Sequence, residues 1–150
     1  MFIKQISEGD LEKYEAFALP ATRDMELRML CFALMNLGAP FNEYGYNTRA
    51  FWYKGLGSVG SYDPEANHVR HGKPLEKVSF FCPQLCVLLL QAAAHESVRA
   101  LGRPHYGDGW VPRVQAMDAA TPTPNSLYRA CTEWGDARQA GRVDARLRLN

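Results

Sequence analysis

The longest uncharged stretch of the sequence, residues 78–94, restricts the fold more than any other feature. It contains Ser79, Pro83, Gln84 and Gln91 and runs into His95-Glu96, so it is too short and too broken to span a membrane. Its opening Val78-Ser-Phe-Phe is a strand-like run, and Cys82-Pro83 follows at once. Proline suits the first turn of a helix, where its missing N–H would have had no intrahelical partner. Beyond it, Leu85, Val87, Leu88, Leu89, Leu90, Ala92, Ala93, Ala94 and Val98 leave almost no polar face for three turns. A helix of this kind belongs in the middle of a core, and Gly102 and Pro104 end it. The expectation is a small single α+β domain, with a central buried helix over 83–101, flanking helices and a small antiparallel sheet that includes 78–81.

The flanking segments fit around that helix. Thr22 or Asp24 can cap a helix running to Leu37, with Leu27, Leu30, Cys31, Leu34 and Leu37 spaced as one apolar face, and Gly38 and Pro40 as its stop. Residues 8–17 read as a short polar helix stopped by Pro20. From 41 to 77 the periodicity dissolves into seven Gly or Pro residues and a dense aromatic set, which implies an ordered, irregular excursion packed on the core. Residues 103–122 read as a loop anchored by Trp110, Val111 and Val114, and Thr123-Pro-Asn-Ser opens a helix over 127–134. The globular domain is placed at 1–135. The arginine-rich residues 136–150 form a basic tail, read as a surface helix or a frayed end.

Charge and cysteines narrow the function classes. A chain of 150 residues can bury one core without disulfide or metal staples. Its 17 basic and 16 acidic side chains leave a net charge of +1, which argues against binding dominated by nucleic-acid or membrane electrostatics. Met1-Phe-Ile-Lys-Gln-Ile has no signal-peptide pattern. Cys31 and Cys131 lie in apolar helical patterns, and Cys82 and Cys86 share a helix, so reduced thiols in an intracellular protein are expected.

Cys82 stands out among them. A cysteine in the first turn of a helix lies among free N–H groups and at the positive end of the helix dipole, which favours the thiolate and its nucleophilicity. The bland alternative is a small buried hydrophobe at the end of a strand. A catalytic thiol needs a base, and the histidines nearest in sequence are His68 and His71; the eleven residues from His71 to Cys82 allow a turn and a returning strand. His105, with Asp108 as an orienting carboxylate, is a weaker candidate, and His95 lies too far down the helix. A zinc site from His68-x-x-His71 and Cys82-x-x-x-Cys86 is disfavoured because Cys86 sits in a leucine-rich core pattern. Gly55-Leu-Gly57-Ser-Val-Gly60 lacks the flanking strand and helix of a phosphate-binding loop. No cofactor and no metal are implied.

Three short segments, in order, resemble permuted NlpC/P60 proteins. They are Leu37-Gly38-Ala39-Pro40-Phe41-Asn42-Glu43-Tyr44-Gly45-Tyr46 at a helix end, Phe81-Cys82-Pro83-Gln84-Leu85 at a helix start, and the later Thr123-Pro-Asn-Ser-Leu-Tyr. The resemblance implies a papain-like cysteine fold, with Cys82 as nucleophile and Tyr44 (or Tyr46) as the tyrosine beside it. It implies amide hydrolysis on peptides or acyl transfer as chemistry. The family's Ser-Glu after the cysteine is Pro83-Gln84 here, and no histidine precedes His68, where permuted members carry theirs on an N-terminal strand.

Two functions follow as expectations. One is a cysteine-dependent hydrolase or acyltransferase in which Cys82 attacks an amide or ester, His71 is the base and Tyr44 orients the site; its partner is a peptide or acyl substrate. The other is an inactive relative that serves as a structural or protein-interaction component, intracellular or virion-associated, with protein partners.

Overall fold

The computed structural model describes residues 2–3, 13–39, 61–70, 80–119 and 122–144. The architecture is α+β: the described residues form four helices and two antiparallel sheets, with their core gathered around one central helix.

That helix, α2 (Cys82–Leu101), matches the expected span. Val87, Leu88, Ala92 and Ala94 are wholly buried along it, and even Gln84 has no exposed surface. Gly102 closes it in the left-handed conformation at φ 65°, its N–H donating to the Arg99 carbonyl. α2 packs between α1 (Arg23–Met35) and α3 (Trp110–Gln115), and α4 (Pro124–Glu133) also touches it. Thr22 is the cap of α1, its hydroxyl accepting from Met25 N–H, and Thr123 caps α4 in the same way through Ser126 N–H.

One sheet has the order β1–β2–β5, from β1 (Phe2–Ile3), β2 (Lys13–Ala18) and β5 (Arg138–Asp144). β2 and β5 run antiparallel from Lys13↔Asp144 to Ala18↔Arg138, with a register shift between Ala16 and Phe17. The second sheet is a hairpin of β3 (Ser61–Asp63) and β4 (His68–Arg70), whose turn places Asn67 at φ 48°. Asparagine tolerates that region better than most residues. Among the described residues no helix is long and apolar enough to cross a membrane.

Four local expectations need correction. The polar helix expected over 8–17 is replaced, within its described part, by strand β2, and residues 138–144 of the basic tail are strand β5 rather than a surface helix or a frayed end. Each strand finds its hydrogen bonds in the other, from opposite ends of the chain. The loop over 103–122 contains helix α3, whose first N–H, on Trp110, donates to the Asp136 carboxylate at 2.7 Å; that cap comes from a residue remote in sequence. The anchors Trp110, Val111 and Val114 are buried as expected.

The fourth correction concerns α1. Its inward face is Met25 and Phe32, while Leu27, Leu30, Cys31, Leu34 and Leu37 are exposed. Phe32 reaches the core and faces the hairpin, with its ring 6.0 Å from that of Tyr62 and 6.3 Å from that of His68. Of the strand expected over 78–81, Phe80 forms a single β-bridge, Phe81 is the N-cap of α2, and residues 78–79 lie outside the described set.

Candidate functional site

Cys82 is the first residue of α2, next to the fully buried Phe81, whose carbonyl accepts the first helical hydrogen bond from Leu85 N–H at 3.1 Å. Pro83 is buried, and Gln84 behind it is sealed in the core. Cys82 itself is exposed. The local sequence explains the contrast: one turn of helix turns Phe81, Pro83 and Gln84 toward the interior and leaves position 82 facing outward.

On a helix, positions 82, 86, 89 and 93 follow one another on a single face. Cys86, Leu89 and Ala93 wall an apolar cleft of about 440 Å³ that Phe17 and Leu19 of the sheet side, Met29 of α1 and Trp110 of α3 complete; among the described residues Glu26 is the one charged side chain on its wall. Cys82 thus stands one turn above the wall of this cleft. The four cysteines are all free thiols. Burial, with the neighbouring Cys82 adding to it, raises the pKa of Cys86, and burial pushes that of Cys131 up to about 12. Both are therefore neutral packing groups, as is consistent with their helical settings. Cys31, expected to pack in the same way, is exposed instead.

The other two expected site residues, Tyr44 and His71, lie outside the described residues, as does Tyr46. Among the described residues, Cys82 has no imidazole in hydrogen-bond contact. His95 is thirteen residues further along α2, roughly 20 Å down its axis. His105 is held by Ser97, Oγ to Nε2 at 2.8 Å, beyond the end of the same helix face. His68 stands on β4 against Phe32. Nor do three or more His, Cys, Asp or Glu side chains gather anywhere in the described residues to hold a metal ion.

A second, polar constellation lies at the other end of α2. Arg28 of α1 donates from Nε to Tyr62 Oη at 2.8 Å and from Nη2 to the Pro64 carbonyl at 2.6 Å, and its Nη1 is 3.5 Å from Glu96 Oε2. Tyr62 Oη in turn donates to Asn67 Oδ1 at 2.7 Å. Glu96, buried in the helix, also receives both arms of Arg99. The Arg99 hydrogen bond holds the Glu96 carboxyl below the usual carboxylate range in spite of burial. Burial, and then the Arg28 cation, hold the His95 imidazole below its ordinary pKa, and burial raises that of Tyr62. His95, Tyr62 and Gln91 line a small cleft of about 250 Å³; the Gln91 amide is tied down by Nε2 donating to the Val114 and Met117 carbonyls.

Sequence reading did not find this network. Its trace was there to see: Arg28 interrupts an apolar helix, and Glu96 stands just past the most hydrophobic stretch of the chain, after His95. A charge in such a place needs a partner. In comparison with known proteins, the chain matches no family model, no curated protein and no solved structure.

Proposed function

We propose that the protein is a cysteine-dependent hydrolase or acyltransferase, similar to permuted NlpC/P60 proteins, with Cys82 attacking the carbonyl of an amide or ester. The observation that carries this reading is the exposure of Cys82 at the start of the most buried helix, one turn above the wall of an apolar cleft. A rigid helix is the element on which a nucleophile keeps its aim, and free N–H groups in the first turn of a helix are the kind of donor that a developing oxyanion needs. In the proposed reaction the thiolate adds to the carbonyl carbon. The tetrahedral adduct collapses to a thioester as the amine or alcohol departs with the proton that the base had taken from the thiol. Water or an acceptor nucleophile then cleaves the thioester and restores the thiol. On the resemblance, the base is His71 and the orienting hydroxyl Tyr44.

The test uses the protein's own control. Cys31 is also free and exposed but sits in the interior of a helix. Site-resolved iodoacetamide labelling, read by mass spectrometry at about pH 6–7 where ordinary thiols are mostly protonated, is expected to modify Cys82 at least tenfold faster than Cys31. His71→Ala is expected to abolish that advantage. Equal rates at the two cysteines would overturn the reading.

A second reading has its own observation. The apolar outward face of α1 favours a structural or protein-interaction component, intracellular or virion-associated, in which the thiol has lost its catalytic role.

A further inference from the structure

The cleft walled by Cys86, Leu89 and Ala93 carries one carboxylate on an otherwise apolar lining. Helices α1 and α2 pack together and both contribute to it, and its volume of about 440 Å³ lies in the range of small-molecule sites. At about 30 Å³ per heavy atom, a water's share of the liquid, that is room for roughly a dozen heavy atoms.

The aromatic wall is set before anything binds. Trp110 is held at both ends: its indole Nε1 donates to the Pro20 carbonyl at 2.9 Å, and its backbone N–H donates to the Asp136 carboxylate at 2.7 Å. Phe17 stands edge-on to Tyr128, with ring centroids 5.8 Å apart. Met29 is half-buried and flexible enough to fit the outline of what enters. A ligand thus meets a preformed surface, and little of its binding energy goes into ordering the site.

Charge selects the ligand. Glu26 and Met29 are three residues apart on α1 and so share one side of it. Glu26 is exposed, and among the described residues no cation pairs with its carboxylate. The Cys86 thiol on the opposite wall is neutral, since burial raises its pKa. Among the described residues the lining therefore presents a single negative charge beside an apolar surface. An anion would be repelled there, and a plain hydrocarbon would leave the carboxylate unused. We infer that the cleft is a binding site for an organic cation, an alkyl- or arylalkylamine whose apolar body lies along Leu89 and Ala93 and whose ammonium group pairs with Glu26. The inference does not rest on chemistry at Cys82, and its test reads occupancy rather than turnover.

Cys86 reports occupancy because it lies on the lining. The experiment follows modification of each cysteine of the full chain by methyl methanethiosulfonate, resolved by mass spectrometry at about pH 8, where an alkylamine is protonated as lysine is. The probes are n-octylamine, n-octanol and octanoate, one chain with a positive, a neutral or a negative head, all below micelle-forming concentrations. Octylamine is expected to slow modification of Cys86 saturably, with an affinity about fivefold above that of octanol, the upper end for an ion pair at an open site. Octanoate is expected to bind more weakly than either. Exposed Cys31 should keep its rate, and buried Cys131 should stay unmodified. Glu26→Gln is expected to abolish the preference for the amine and leave octanol unchanged, and Glu26→Lys to transfer the preference to octanoate. Should a variant fail to fold by circular dichroism, the ranking of the three probes on the parent chain decides. The inference is overturned if Cys86 is not protected, if amine and alcohol protect it equally, or if the preference survives Glu26→Gln. Modification of Cys131 in the presence of the amine, which would mean unfolding in place of binding, overturns it as well.

Discussion

Arg28 joins three elements, and replacing it tests whether the polar constellation carries stability. The change is Arg28→Met, which keeps the aliphatic stem and removes only the guanidinium. Two hydrogen bonds from a charged donor are lost, to Tyr62 Oη and to the Pro64 carbonyl, together with the longer contact to Glu96. A hydrogen bond from an ionised donor contributes about 1.5–3 kcal/mol. Three features pull the sum down. The Pro64 carbonyl can turn to water, Tyr62 keeps Asn67 as its acceptor, and Glu96 keeps Arg99. For that last reason the ~3–5 kcal/mol cost of orphaning a buried charge is not reached. The expected loss is about 2–3 kcal/mol. With a urea slope of about 1–3 kcal/mol/M, the midpoint falls by about 1–2 M. A second readout is independent of stability: Arg28 depresses the His95 pKa, so an NMR titration of Arg28→Met should find that imidazole shifted up toward its ordinary value. A loss under about 0.5 kcal/mol, typical of an exposed ion pair, with His95 unmoved, would refute the reasoning.

Two further outcomes are expected, both read by urea unfolding. Phe32→Ala should cost about 3–5 kcal/mol, since its ring is wholly buried, whereas Leu34→Ala should stay within about 1 kcal/mol; comparable losses would contradict the orientation of α1. Stability should also fall on the acid side in two stages. His95 has a folded pKa below its ordinary 6.5, so the unfolded chain takes up the proton first and stability declines as pH drops through and below that value. Glu96 is likewise depressed below its ordinary 4.5, and its contribution, complete above that value, is lost as pH falls further toward its folded pKa. A midpoint unchanged between pH 7.5 and about 5 would contradict the first stage, and an unaltered acid limb in Glu96→Gln the second.

The parts of the fold legible in the sequence are those that rest on neighbouring residues. Pro83 at a helix start, Gly102 in the left-handed region at its end, and the Thr22 and Thr123 caps all act within a turn of themselves. The burial of α2 needed only its composition, because a helix with no polar face has nowhere else to go. The position of Cys82 at the head of that helix was legible on the same ground. Strands β2 and β5 were not, since β5 has its hydrogen bonds only from β2, at the far end of the chain, and one edge of β2 waits for β5. Arg28 and Glu96 look misplaced until the β3–β4 hairpin and α2 bring their partners.

The sequence by itself determined that α1 is a helix, that it starts after a cap at Thr22 or Asp24, and that it is rich in leucine. It could not determine which side of α1 faces inward, because Met25 and Phe32 define one apolar side and the leucines another. Tertiary packing decided that: the space between α2 and the hairpin takes the Phe32 ring and the Arg28 guanidinium together, and the leucines are left outside. Periodicity measures where apolar side chains lie around an axis. Which of two apolar sides is buried depends on the shape and charge of what stands opposite.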